Sequence, residues 1–215
     1  VYMGFYVDGD VMIGENGKGY DDDICGFKRV IPSPQGCGFV DTINIAYIAD
    51  NDGRDMDSPC PYSTNSVTGL TGIRVIRTPS DSLNYAFNWW ISNGAAPMDF
   101  GPRKAGTPDD PFRDFGGFLG TPEGDRNKYY IMRHAEFDYD QLFCALDHTA
   151  DGWLPRDEQA YNFADGFDTR YLLSCGPFDI DPGEVLPMSF AYIGGENFHT
   201  DCNAFENLFD ANDPY

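Results

Sequence analysis

Positive charge is scarce in this sequence. Fourteen Lys and Arg stand against 35 Asp and Glu, for a formal net charge of −21. A surface this acidic excludes nucleic acid as a partner, because phosphate binding needs a basic face. Long apolar runs are lacking too. None approaches the ~18 residues of a membrane-spanning helix, so membrane insertion is not expected. No C-x-x-C pair occurs, which disfavours zinc ribbons and thiol redox motifs. There is no H-E-x-x-H, G-x-S-x-G or P-loop, and His134, His148 and His199 are scattered along the chain. A catalytic centre is therefore not expected. Glutamate is rare: of the 35 acids 7 are Glu and 28 are Asp. Surface helices favour Glu, whereas Asp favours turns, caps and loops that hold hard cations.

What is present reads as β-structure. Hydrophobic residues make up 41% and aromatics 15%, enough for a packed core. The runs "VYMGFYV", "FVDTINIAYIAD", "GIRVIRT", "NYAFNWWI" and "VLPMSFAYI" alternate with period two, as strands with one face on a core do. This alternation places Ile43, Ile45 and Tyr47 on one face, Tyr85, Phe87, Trp89 and Ile91 on another, and Leu186, Met188, Phe190 and Tyr192 on a third. "FDIDPGEVLP" predicts a hairpin, since Pro fixes φ and Gly permits a positive φ in the turn. Two short helices are expected, over 135–146 and 203–211. Residues 92–128 hold 12 Gly or Pro in 37 positions and no periodic pattern, which reads as a long excursion packed on the fold. The expectation is a single β-rich domain over 1–215: an all-β sandwich, jelly-roll or Ig-like, with long loops and one or two short helices. It is read as a mature chain or a fragment of a longer secreted protein.

Six cysteines, Cys25, Cys37, Cys60, Cys144, Cys175 and Cys202, suit an oxidising compartment. Fifteen pairings are possible. Cys25–Cys37, close in sequence, is the first choice as a hairpin staple, and buried free thiols are the other reading.

The aspartates give three candidate calcium loops. "DNDGRDMD" carries Asp50, Asp52, Asp55 and Asp57 around Gly53, directly after a strand. Alternating carboxylates around a glycine let several oxygens meet one cation. "FYVDGDV" and "GYDDDICGF" carry Asp8, Asp10, Asp21, Asp22 and Asp23. These would converge at one sheet end if the first strand paired with the run after Cys25. "DHTADGWLPRDE" sets Asp147, Thr149, Asp151, Gly152 and Glu158 at positions 1, 3, 5, 6 and 12 of an EF-hand loop. It lacks strong flanking helices and has Pro155 at position 9, so context favours the first loop over this better template match. The alternative for all three is an ordinary aspartate turn. In "NWW", Trp89 and Trp90 point to opposite faces of a strand. If Trp89 is core, Trp90 is either an exposed platform for a sugar ring or covered by the long loop.

Three stretches, "DTINIAYIADNDG" (41–53), "GTPEGDRNKYYIMRHAEFDYDQ" (120–141) and "GFDTRYLLSCGPFDIDPGEVLPMSFAYIGGENFH" (166–199), resemble a poorly characterised extracellular β-sandwich region of large secreted bacterial proteins. Such proteins often end in Ig-like and type IX secretion sorting domains. The pattern S-x-G-P-F-x-I-x-P-G-E is the most specific part. The resemblance implies a secreted, β-rich module and carries over no catalytic residue. The expected role is a non-catalytic structural or adhesive module of the cell surface, stabilised by calcium. It would assemble with itself or with other surface proteins. A carbohydrate-binding module with Trp90 as platform, and a secreted hydrolase, are the competing readings.

Overall fold

The computed structural model describes residues 1–11, 20, 22–34, 36–54, 60–91, 124–135, 141, 166 and 168–203. Among the described residues seven strands occur, in the order β1 (Met3–Asp8), β2 (Asp23–Pro32), β3 (Val40–Asp50), β4 (Leu70–Arg77), β5 (Asn84–Ile91), β6 (Thr169–Gly176) and β7 (Ser189–Gly195). Among the described residues, the helix α1 (Gly124–Arg133) stands between β5 and β6, and Gln141 is also helical. The strands form two antiparallel sheets, β1-β6-β5 and β2-β3-β4-β7. The described residues form an all-β, sandwich-like fold with one short helix, α1.

Period-two alternation builds the interior. Phe87, Trp89 and Ile91 of β5 and Tyr171 and Leu173 of β6 face Cys25, Ala46, Ile48, Ile73 and Val75 of the other sheet. Phe27 stacks on Phe87 across the gap with ring centroids 5.4 Å apart. Burial of one such aromatic or branched side chain is worth roughly 1.5–3 kcal/mol, so this layer dominates the stability of the fold.

The face of β3 differs from the sequence expectation. Lys28 pairs with Ile45 and Val30 with Thr42, so Arg29 opposes both Ile43 and Asn44. Asn44 takes a φ of 45° at this bulge, a left-handed conformation that Asn tolerates better than most. One extra residue reverses the alternation. Ile43 is buried, but beyond the bulge the core face is Ala46 and Ile48, and Tyr47 turns outward onto Phe198.

The "FDIDPGEVLP" hairpin is not formed. The turn is present, with Glu184 N donating to Asp181 O and Asp181 N to the Glu184 carboxylate. Its flanks are not strands, because β6 and β7 belong to different sheets and this segment crosses between them.

Helix α1 lies on the outer face of the three-stranded sheet. Ile131 packs on Trp90, with Tyr130 and Leu172 at the side. Ser174 Oγ donates to Met132 O, and the Asn88 amide meets both Ile131 O and the His134 ring. Asp125 in the first turn and Arg133 in the last complement the helix dipole. The helix starts inside the stretch read as aperiodic. The helix expected over 135–146 lies, apart from Ala135 and Gln141, outside the described residues, as does nearly all of 203–211. No helix among the described residues is long and apolar enough to cross a membrane.

Candidate functional site at the acidic end of the sandwich

Two of the acidic stretches meet at one end of the molecule. β1 pairs with β6 and not with the run after Cys25, so the pairing expected from sequence is corrected. The convergence arises another way. Asp23 opens β2 and Asp50 closes β3, and the antiparallel register sets them directly opposite each other. Both are buried, at 0% and 4% exposure. Val11 N, just beyond β1, donates to both carboxylate oxygens of Asp23 at 3.2 and 3.3 Å. Burial pushes the Asp23 carboxyl up to about 9; the Val11 bond opposes this, and the charges of Asp22, Asp50 and Asp10 add to it. Asp50 is pushed up to about 7, chiefly by burial and then by Asp22, with the amides of Gly53 and Asp52 opposing.

The loop after β3 is a tight aspartate turn. Asp50 Oδ1 accepts from Asp52 N and Gly53 N, and Asp52 accepts from Arg54 N and pairs with its guanidinium at 2.7 Å. Gly53 sits at φ 75°, and a Cβ there would come within 2.9 Å of the His199 ring. His199 Nε2 donates to Asp50 O at 2.7 Å, and its own amide binds Thr68 O, which seats the tail after β7 on this loop. Burial holds the His199 ring below its ordinary value. Asp8 is neutralised by its cross-strand partner Arg170 at 2.9 Å, and Arg170 also binds Asp168 at 3.1 Å.

Gln141 closes the site from the side. It is fully buried; its Oε1 accepts from Cys25 N and Thr169 Oγ1, and its Nε2 donates to Asp23 O. One side-chain amide thus serves an N–H and a C=O on the edge strand β2 and ties it to β6. Gln141 and His199 carry no local signal as site residues, because both act over more than 100 positions of chain. Asp23 was legible only as one of several neighbouring acids.

Asp55, Asp57, Asp147, Thr149, Asp151, Glu158 and Cys144 lie outside the described residues. Among the described residues, no three His, Cys, Asp or Glu side chains are grouped so as to hold a metal ion.

A disulfide is present, as the cysteine count suggested, but the expected pairing is corrected. The disulfide joins Cys60 to Cys202, with Cα atoms 5.6 Å apart. Cys25 and Cys37 are not bonded to each other: Cys25 is a buried thiol facing the core, and Cys37 is an exposed thiol in the β2–β3 connection. The bridge forms where loop and tail already meet, near Tyr62, whose hydroxyl donates to Asp52 O. The Trp90 platform is corrected as well. Trp90 does point away from Trp89, but it is fully buried under α1 and offers no stacking face.

Fold and site together define a disulfide-stapled, antiparallel β-sandwich with an acidic end. No protein-family model, curated protein or solved structure matches the chain.

Proposed function

We propose that this chain is a non-catalytic structural or adhesive module of the cell exterior, its acidic end held by calcium and its surface in contact with itself or other surface proteins. The observation that carries the reading is the buried pair Asp23 and Asp50. Two carboxylates opposed in a desolvated place, with Asp10 and Asp22 adding charge of the same sign, need a positive partner or a proton. Carboxylate and backbone carbonyl oxygens are the ligands Ca²⁺ takes, and Asp55 and Asp57 follow in the same loop sequence. A disulfide suits an oxidising compartment, and the resemblance of three stretches to secreted β-sandwich regions agrees with this. Exposed aromatics, among them Phe39, Phe190 and Tyr192, supply contact surface for assembly.

The test is thermal melting at pH 8 with Ca²⁺ and with EDTA, together with the mass in solution. Calcium at a hundredfold excess over Kd stabilises the native state by about 2.7 kcal/mol. EDTA should therefore lower Tm in the wild type and leave Asp50→Asn nearly unmoved. An unchanged Tm would remove calcium from the reading. A strictly monomeric mass at high concentration would remove self-assembly.

A further inference from the structure

At the end of the sandwich opposite the buried aspartates, a polar cleft of about 440 Å³ opens between the two sheets. Arg29 and Asn44 line it from β2 and β3, Asn84 and Tyr85 from β5, and Thr78 and Asp81 from the β4–β5 connection. We propose that this cleft binds a neutral saccharide unit.

Three features coincide there. The first is the cleft itself, whose size lies in the ordinary range for small-molecule sites, about 300–1,000 Å³. The second is the bulge of β3. Asn44 holds a φ that is uncommon for a residue with a side chain, at the one place where the β2–β3 register shifts. Bulges re-aim side chains and recur beside binding sites, and a strained backbone position is a pointer toward function. The third is an unsatisfied group. Asn44 Oδ1 is buried without a hydrogen-bond partner. Such an acceptor costs roughly 1–3 kcal/mol, and because Asn44 lines the cleft, a ligand donor that reached it would remove that cost.

The chemistry of the lining selects the ligand. One guanidinium and one carboxylate, Arg29 and Asp81, leave the rim without net charge, so an ion of either sign finds no matched field. Sugar hydroxyls both donate and accept: they give to Asn44 Oδ1 and Asp81, and take from Arg29 and the Asn84 amide. The Tyr85 ring and Leu83 add an apolar surface for the C–H face of a pyranose. The chain's net charge of −21 repels sulfated or sialylated glycans, which leaves neutral ones. The β4–β5 connection is held in place beforehand, with Thr78 Oγ1 donating to Ser80 O at 2.7 Å and Ser80 and Ser82 joined through their hydroxyls at 3.0 Å.

A glycan array probed with the labelled chain, followed by calorimetry with the neutral oligosaccharides it selects, tests the proposal. The wild type should bind a neutral glycan. Asn44→Gly, which relieves the strained φ and removes the amide, should weaken binding tenfold or more at a Tm no lower than that of the wild type. Asp81→Ala, on an exposed turn remote from the core, should weaken it comparably and decides the matter if Asn44→Gly fails to fold. Binding of acidic glycans alone, binding of none, or full affinity in the folded variants would overturn the proposal.

Discussion

Asp23 is the residue on which most turns at the acidic end. Its folded-state value, about 9, and that of Asp50, about 7, both stand above the roughly 3.9 of an unfolded aspartate. The native state therefore binds more protons than the unfolded one between those limits. This contribution is fully present below about pH 4 and is lost as pH rises through 7 and then 9. Tm of the calcium-free chain should accordingly fall steadily from pH 5 to pH 9. Asp23→Asn keeps the acceptor for Val11 N and removes the charge. It should flatten the upper half of that profile, and a slope identical to the wild type's would show that Asp23 is not the group responsible. Added Ca²⁺ should flatten the same region by replacing the proton. At this scale the sequence was readable in kind but not in place. An Asp-rich loop after a strand was evident from "IADNDG". That Asp50 would be spent on the turn's own amides, and that Asp23 would face it, depended on a strand register that no local pattern encodes.

Among the elements, the strands were legible and their partners were not. Period two marks β1, β3 and β4, which bury one face, and β5, whose second face α1 covers, and Phe87, Trp89 and Ile91 lie where alternation puts them. The same rule failed beyond Asn44, where a bulge changed the face, and nothing about Asn in that position is unusual until its φ is known. Helix α1 escaped notice because, among its residues, Ile131 alone is fully buried, so it shows no apolar stripe. It nonetheless decides the fate of Trp90. That indole fills the seam between α1 and the outer face of the sheet, with its Nε1 lacking a hydrogen-bond partner. Trp90→Ala should cost about 3–5 kcal/mol in urea unfolding, as large aromatic deletions from a core do. A loss below about 1 kcal/mol, the range of surface substitutions, would mean that α1 does not cover the sheet in solution.

On the scale of the whole molecule, acidity and covalent closure pull in opposite directions. A net charge of −21 keeps the chain soluble but loads the compact state with self-repulsion. The Cys60–Cys202 bridge, at a sequence separation of 142, removes entropy from the unfolded chain. Cys60→Ser with Cys202→Ser should lower stability by about 2–5 kcal/mol, and the loss should be larger at low salt, where repulsion is least screened. Equal stability of the bridged and unbridged chains in urea would show that the bridge is incidental. The bridge also makes a closed covalent ring that threads through β4, β5, α1, β6 and β7 and so through both sheets. A protease that cuts once anywhere between those two cysteines opens the ring without releasing a piece. The nicked chain keeps its full mass and every strand it had. Only a reductant lets the halves part, so in an oxidising medium a single cleavage passes almost unnoticed.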